Sequence, residues 1–164
     1  MRKASAIPQK IFNLYQLQSQ MSIWRLRGYS IAFTNGVFDI LHEGHIFSLS
    51  QAAAEADILI VAVNSDESVK RLKGPQRPIN GQAARALLMA ALVMVDAVII
   101  FEEDTPLDLV KALMPDVMIK GGDYKPEQVA GAKEVIEHGG RIVINTLVEG
   151  ISTTGIIEKM RAAP

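Results

Sequence analysis

Two histidines three positions apart are the residues best placed to do chemistry. His42 and His45 flank Gly44 at the end of a stretch that begins at Thr34. Side chains three apart face the same way when they share the first turn of a helix, and the free N–H groups and dipole of that turn favour an anion. Two imidazoles there suit a phosphate group, above all one that gains negative charge in a transition state.

Two further interpretations of the histidine pair stay open. One histidine could cap the helix while the second packs against it. The pair could also bind zinc, but zinc needs a third and usually a fourth ligand. The remaining histidine, His138, lies far along the chain, and the sequence has no cysteine. We therefore favour a phosphate site.

A second cluster is basic. Lys70, Arg71, Lys73 and Arg77 put four cations into eight residues that run into a loop rich in Gly and Pro. Such a cluster can wrap a polyphosphate, although a solvated loop would have the same composition. Because the loop follows a strand, it can overhang the edge of the sheet where the histidines lie. Arg85, in the first turn of the next helix, could reach the same place.

Two glycine-containing clusters follow later in the chain. In the first, Lys120 stands at a strand end and is followed by two glycines, which predicts a turn facing a ligand. Asp123 in that turn could accept a ribose hydroxyl, or it could hold Tyr124 and Lys120 in place. The second cluster, residues 150–154, opens the last helix. Ser152 or Thr153 is expected as its N-cap, and hydroxyls beside free N–H groups also form an anion site. Neither a P-loop nor a G-x-G-x-x-G fingerprint is present.

These clusters must be positioned by a regular α/β framework, because apolar runs alternate with amphipathic runs. We predict five strands, over 30–34, 58–63, 97–101, 117–120 and 141–145. Helices are predicted over 8–27, 45–55, 66–72, 82–94, 106–113, 128–138 and 153–161, with a sharp turn at 35–36. Parallel strands need such crossovers, and the right-handed rule gives a Rossmann-like, doubly wound parallel sheet.

In such sheets, ligands bind outside the carboxyl ends of the strands where the strand order reverses. The four clusters follow these ends, and so do Asn64 and Asp66, which we expect to contact a substrate. We expect one domain over residues 29–164, preceded by an N-terminal helical extension over 1–28.

Composition excludes several function classes. The 164 residues carry a formal net charge of -1, which argues against broad binding to nucleic acid or to a membrane surface. The lack of cysteine excludes a disulfide framework, a thiolate nucleophile and a cysteine-ligated metal. No apolar run approaches the roughly 20 residues of a membrane span, and no secretory signal is readable. We therefore expect a cytoplasmic protein.

Residues 34–45 resemble the first signature of the nucleotidyltransferase superfamily, in its cytidylyltransferase-like group, and GISTT at 150–154 resembles the second. Within that group, residues 31–162 are most similar to the adenylyltransferases of ADP-heptose synthesis. The stretches 63–80, 101–106 and 119–127 carry this similarity. The resemblance implies transfer of AMP from ATP to D-glycero-β-D-manno-heptose 1-phosphate. The products would be ADP-heptose, a lipopolysaccharide core precursor, and pyrophosphate.

The resemblance also implies roles for residues. His42 and His45 would bind the ATP phosphates and stabilise the transition state. Lys73 would hold the sugar phosphate, with Arg77 and Arg85 near the triphosphate. Mg²⁺ would accompany ATP without metal ligands from protein side chains. The expected nucleotide-binding residues are Thr34, Asn35, Gly36, Val37, Phe38, Lys120, Gly121, Asp123, Gly150, Ile151, Ser152, Thr153 and Thr154.

One position departs from a related pattern. Glycerol-phosphate cytidylyltransferases carry Arg three residues before the glycine of the second signature, where this chain has Leu147. The departure counts against a cytidylyltransferase acting on a polyol phosphate such as glycerol 3-phosphate, which is the main competing hypothesis, and leaves the base contacts unassigned. A nucleotide-binding regulatory module and an interaction protein that uses the N-terminal helix are two further hypotheses from different functional classes.

Partners follow from the same resemblance. We expect ATP and a sugar 1-phosphate as substrates, no nucleic acid or membrane, and a homo-oligomer in which the N-terminal helix makes a contact. About 30 residues precede the first predicted strand, so we expect the sugar kinase of the pathway to act as a separate chain.

Overall fold

A computed structural model of the chain describes residues 4–122, 125–146, 148 and 150–162. The strands are β1 (Ile11–Phe12), β2 (Ile31–Gly36), β3 (Ile58–Asn64), β4 (Ala97–Phe101), β5 (Val117–Gly121) and β6 (Arg141–Asn145). The helices are α1 (Leu14–Leu26), α2 (Glu43–Ala53), α3 (Asp66–Lys73), α4 (Gln82–Ala91), α5 (Leu107–Leu113), α6 (Ala132–Glu137) and α7 (Thr153–Ala162). Short 3₁₀ turns cover Ala4–Ala6, Pro8–Lys10 and Pro126–Gln128. None of the described helices is long and apolar enough to cross a bilayer.

The strands form a single parallel sheet in the order β1-β4-β3-β2-β5-β6. The expected doubly wound α/β architecture is confirmed, but the prediction of five strands is wrong because the sheet has six. The additional strand, β1, lies in the stretch 8–27 that we expected to be helical, and it pairs with Val98 and Ile99 of β4. Asn13 explains the boundary. Its side chain accepts from the N–H of Gln16 at 2.9 Å while Gln16 Oε1 accepts from the N–H of Asn13 at 3.1 Å, a capping box that starts α1 at Leu14.

Each face of the sheet is covered by its own set of helices. Ile31 and Phe33 of β2 are buried in a core with α1, α5 and α6, whereas Ala32 between them is buried with α2 and α4. Helix α1 contributes Leu17 and Met21 to the first of these cores. A domain boundary after residue 28 stays a prediction.

The site is positioned by the reversal of strand order at β2. This strand pairs with β3 on one side and with β5 on the other. Strands β3 and β4, which follow β2 in sequence, therefore lie on one side of it, and β5 and β6 lie on the other. Strand β2 continues through Asn35 to Gly36, which pairs with Val63, so the sharp turn predicted at 35–36 is wrong. The longer strand carries Asn35 to the carboxyl edge of the sheet, beside Lys120 of β5.

Candidate functional site

A cavity of about 310 Å³ opens at the carboxyl ends of β2 and β5. We call it the histidine cavity. It brings together twelve of the residues expected from the sequence: Thr34, Asn35, Gly36, Val37, Phe38, His42, His45, Lys120, Gly121, Ile151, Ser152 and Thr153. Gly44, Ser48, Leu49 and Val148 complete its lining.

The two histidines stack at the start of α2. Their ring centroids lie 3.8 Å apart with 22° between the planes. His42 occupies the N-cap position, where its carbonyl accepts from the N–H of His45 at 3.0 Å, but its side chain makes no capping hydrogen bond. The Nδ1 atoms of both rings are buried and have no hydrogen-bond partner within the part of the chain that the structure describes. The simple capping interpretation therefore does not account for His42.

Both imidazoles are held in the neutral form. Burial lowers the pKa of His42, with the charge of Glu43 acting in the opposite direction. Burial, assisted by the proximity of His42, lowers the pKa of His45 to about 4. At neutral pH the pair thus offers N–H donors without adding a net charge to the cavity. A bound phosphate would raise both pKa values by favouring the protonated rings.

Two glycines allow this arrangement. A Cβ on Gly44 would lie 3.1 Å from Nδ1 of His42, so a larger residue there would make that ring shift by a few tenths of an ångström. A Cβ on Gly36 would lie 3.0 Å from the ring of Phe38, whose backbone has φ +49°. The Phe38 ring in turn meets His45 edge-on at 5.3 Å. The strained backbone at Phe38 thus places a ring that supports the histidine pair.

A second helix begins at the same cavity. Ser152, one of the two residues expected to cap α7, is its N-cap, because its Oγ accepts from the N–H of Gly155 at 3.1 Å and its carbonyl accepts from Ile156. The cavity therefore lies between the N-terminal ends of α2 and α7, where free N–H groups and helix dipoles favour negative charge.

Lys120 supplies a cation on the sheet side of the cavity. Its Nζ donates to Oδ1 of Asn35 at 3.3 Å, and burial lowers its pKa. By the alternation of side chains along a strand, Lys120 shares a face with Met118, and Asn35 shares a face with Phe33. Both residues thus extend from the sheet edge on the face opposite helix α2.

Arg77 does not line the histidine cavity. Its Nε donates at 2.6 Å to the buried carboxylate of Asp39, which also accepts from the N–H groups of Ile79 and Asn80. Burial alone would raise the pKa of Asp39, but these donors outweigh it and leave the pKa below its ordinary value. The pair ties the loop 74–81 to the turn that follows β2.

Arg85 is also outside the cavity and is fully buried. Its guanidinium donates to the carbonyls of Asn80 at 2.8 Å and Val37 at 2.6 Å, and forms an ion pair with Asp66 at 2.8 Å. Val37 lines the cavity, so Arg85 acts on the site through the backbone of its rim. The catalytic role expected for Arg85 and the substrate contact expected for Asp66 stay predictions.

The cations of α3 are not gathered at the histidine cavity either. Lys70 pairs with Glu67 at 2.7 Å, and Arg71 pairs with Asp104 at 2.7 Å. Lys73, the last residue of the helix, is exposed and has no ion pair among the described residues. Its expected role in binding a sugar phosphate stays a prediction.

The remaining expected site residues are dispersed. Asn64 is buried and donates to Ser68 rather than lining the cavity. Gly150 lines a neighbouring groove with His42 and Ser152, and Thr154 is in the first turn of α7. Asp123 and Leu147, like Tyr124, lie outside the described residues. Ser48 and Leu49 were missed because their only signal is their place one turn into α2.

Among the described residues no group of three His, Asp or Glu side chains could hold a metal ion, so the zinc interpretation finds no site there. The nearest buried carboxylate after β2, that of Asp39, is fully engaged by Arg77 and two backbone N–H groups. The donors of the histidine cavity are the ammonium of Lys120, hydroxyls and N–H groups, which suit an anion.

The sequence matches a family model and several curated proteins. The family model described as cytidylyltransferase-like matches residues 33–159. A bifunctional protein HldE from Mesorhizobium japonicum is 54% identical over 142 residues, which cover 87% of this chain and 29% of the relative. A protein of the same name from Acidiphilium cryptum is 47% identical over 161 residues, 98% of this chain and 33% of the relative. The chain thus spans about a third of the length of these curated relatives.

Solved structures agree on the architecture. The lipopolysaccharide core biosynthesis protein from Thermoplasma volcanium is 28% identical with a TM-score of 0.60, covering 74% of this chain and 98% of that one. Pantoate-β-alanine ligase from Francisella tularensis, at 15% identity and a TM-score of 0.58, covers 92% of this chain and 76% of its own. The second likeness concerns the fold alone.

Proposed function

The chain belongs to the cytidylyltransferase-like family, and on this premise we propose that it transfers the adenylyl group of ATP to D-glycero-β-D-manno-heptose 1-phosphate. The observation that supports this most directly is the convergence of a stacked histidine pair and two helix N-termini on one cavity. A triphosphate is the ligand that such a set of N–H donors would stabilise best.

The reaction is a direct displacement at the α-phosphorus of ATP. A phosphate oxygen of the sugar 1-phosphate forms the new P–O bond while the bond from the α-phosphorus to the oxygen that bridges to the β-phosphate breaks, and pyrophosphate leaves with that electron pair. No covalent enzyme intermediate is needed. Catalysis then consists of bringing two anions together and stabilising the charge that develops on the oxygens around phosphorus.

The histidine pair acts on that developing charge. Since both rings are neutral before the nucleotide binds, their N–H groups contribute hydrogen bonds that strengthen as the phosphate oxygens gain charge. Lys120, beside Asn35, supplies a positive charge between the two substrates and reduces their repulsion. The N-termini of α2 and α7 add to this field.

Mg²⁺ is expected with ATP. Because the described donors of the histidine cavity suit an anion and the Asp39 carboxylate is engaged, the ion would be held by phosphate oxygens and water. The ion would neutralise part of the triphosphate charge, and the residues of the cavity would orient the phosphates.

The identity of the acceptor is supported by similarity. The sequence resembles the adenylyltransferases of ADP-heptose synthesis, and a structure 28% identical to the chain is that of a lipopolysaccharide core biosynthesis protein. The relatives named HldE are described as bifunctional and are about three times as long. A separate sugar kinase, a cytoplasmic location and a homo-oligomer stay predictions.

Pyrophosphate release tests the proposal. The purified chain is assayed with each of ATP, CTP, GTP and UTP against heptose 1-phosphate, different sugar 1-phosphates and glycerol 3-phosphate. Release with ATP and heptose 1-phosphate is the expected result. Preference for CTP and glycerol 3-phosphate would replace the proposal with the cytidylyltransferase hypothesis.

The same assay tests the residue assigned to the sugar phosphate. Lys73→Ala is expected to raise the KM for the sugar phosphate more than the KM for ATP, because Lys73 is assigned to the acceptor alone. Lys70→Ala, which removes a neighbouring cation already paired with Glu67, is the matched control. Equal changes in the two KM values would count against the assignment.

A further inference from the structure

A second, smaller cavity adjoins the histidine cavity on the opposite face of the sheet. It has a volume of about 170 Å³ and its lining includes part of the segment 102–106 between β4 and α5, so we call it the loop cavity. Asn35 and Lys120 line both cavities. The rest of its lining is Asp104, Thr105, Pro106, Met118, Gln128, Val129 and Ala130.

The wall of the loop cavity is held by a buried network. Ser68 Oγ donates to the carbonyl of Glu103 at 3.0 Å, and it accepts from Asn64 Nδ2 at the same distance. Asn64 and Ser68 are both buried. This network gives a physical reason for the buried asparagine at the end of β3. Through Ser68, Asn64 holds the segment 102–106 in place and does not itself line either cavity.

An ion pair holds the same loop from outside. Arg71 Nε donates to Oδ1 of Asp104 at 2.7 Å, and its Nη2 donates to the carbonyl of Glu102. The segment is thus attached to α3 at three successive residues. A wall fixed in this way before a ligand arrives is the arrangement expected of a specific binding site.

The chemistry of the lining indicates the class of ligand. Asp104 can accept through Oδ2, since its Oδ1 accepts from Arg71, and the hydroxyl of Thr105 can donate and accept. The side-chain NH2 of Gln128 can donate, since its Oε1 already accepts from the N–H of Lys125. The volume lies well below the roughly 300–1,000 Å³ of pockets for drug-sized ligands. The loop cavity therefore suits a single polyhydroxylated ring better than a whole nucleotide.

The position of the cavity indicates its place in the reaction. In a displacement at phosphorus the attacking and leaving oxygens lie roughly in line, so the acceptor must approach from the side opposite pyrophosphate. Two cavities that meet at Lys120 and Asn35 provide separate places for the two substrates with a cation at their junction.

We propose that the loop cavity is the acceptor subsite, in which Asp104, Thr105 and Gln128 bind the hydroxyls of the sugar ring next to the junction with the histidine cavity. The assignment rests on the proposed function for the identity of the acceptor. It gives sugar recognition to the segment 102–106 and to the turn at Gln128, which lie on the opposite face of the sheet from the histidines.

Two variants test the subsite with little change in shape. Thr105→Val removes a hydroxyl and keeps a branched side chain, and Gln128→Glu removes the NH2 donor but keeps an oxygen that can accept from the N–H of Lys125. Each is expected to raise the KM for heptose 1-phosphate about 3- to 10-fold, the usual effect of one lost hydrogen bond, and to leave the KM for ATP unchanged. Thr105→Ser should restore the acceptor KM. Asp108→Asn, in the first turn of α5 and outside both cavities, is the control.

A binding measurement separates failure of the subsite from failure of the proposed function. Heptose 1-phosphate is titrated calorimetrically into wild type and variants without nucleotide. If wild type binds it and both variants bind it more weakly than Asp108→Asn, the subsite is supported even if ATP proves to be the wrong nucleotide. Absence of binding to wild type, equal binding by all four proteins, or a rise in the ATP KM equal to that in the acceptor KM would overturn the assignment.

Discussion

His42 and His45 form a pair whose properties come from burial. Stacked rings at 3.8 Å would repel if both were charged, and burial removes the water that would screen them. The pair is therefore neutral, and within the described part of the chain its Nδ1 atoms have unmet hydrogen-bonding capacity. We expect a phosphate in the cavity to accept from an N–H of each ring, which makes the pair more responsive to charge on the ligand than two solvated histidines would be.

His45→Ala should reduce kcat by about 10²–10³, the typical loss for one donor that stabilises a transition state. The reduction should be larger in kcat than in the affinity for ATP, because the hydrogen bond strengthens as charge develops. Steady-state kinetics with ATP and heptose 1-phosphate measure both quantities, with thermal unfolding as the check that the variant is folded. Near wild-type turnover would remove His45 from the mechanism.

The depressed pKa values also predict how stability depends on pH. As the pH falls below about 6.5, the unfolded chain protonates both histidines, whereas the folded chain resists protonation of His45 until about pH 4. The unfolded state then binds more protons, so the free energy of unfolding decreases between these values.

His45→Asn should therefore make stability less dependent on pH between about 6.5 and 4. Urea unfolding of wild type and variant across this range measures the difference, in which the contributions of the carboxylates cancel. Parallel curves for the two proteins would contradict the burial of His45.

Residue patterns in the sequence identified the histidine cavity better than they identified the basic cluster. The spacing of His42 and His45 and the hydroxyls at residues 152 and 153 depend on local helix geometry, which sequence reports well. The basic residues Arg71, Arg77 and Arg85 have partners that are distant in sequence or buried. No local pattern reveals that Asp104, Asp39 or the carbonyl of residue 37 will be beside them.

At the level of elements, Arg85 connects α4 to the rim of the site. Its three hydrogen-bonded partners come from the loop 74–81, the turn after β2 and the start of α3. Since the side chain is fully buried, this connection is shielded from solvent along its length. The turn that carries Val37 is thereby fixed relative to the helices on the same face of the sheet.

Arg85→Met should lower the free energy of unfolding by about 2–4 kcal/mol, because it leaves two carbonyls and the carboxylate of Asp66 without their donor. The matched control, Arg71→Met, breaks an ion pair in which both side chains are half-exposed and should cost less than about 1 kcal/mol. Chemical denaturation of the two variants compares these costs. Similar losses would show that the buried network of Arg85 stabilises the fold no more than the half-exposed ion pair of Arg71 does.

The elements themselves were largely predictable, with one informative error. The apolar run of β3 and the periodic run of α4 located those elements within a few residues. Ile11 fits the helical register of Leu14, Leu17 and Met21, yet β1 pairs with β4 at the edge of the sheet. The capping box at Asn13 stops α1 from extending back over Ile11 and Phe12. The pairing with β4 makes β1 a strand, and the local sequence gives no sign of that pairing.

At the scale of the whole molecule, a nearly neutral chain concentrates its anion-binding capacity in one place. The net charge of -1 gives no sign of an anionic ligand. The reversal of strand order brings together Lys120, the histidine pair and the first turns of α2 and α7, which come from distant parts of the chain. The same reversal places the loop cavity on the opposite face, so the topology supplies two compartments with a shared junction.

A crystal structure with a non-hydrolysable ATP analogue tests the central claim most directly. The phosphates should lie in the histidine cavity, with oxygens within hydrogen-bonding distance of the His42 and His45 rings and of N–H groups at the start of α7. Phosphates bound at the loop 74–81 or in the loop cavity, with no contact to either histidine, would contradict the account.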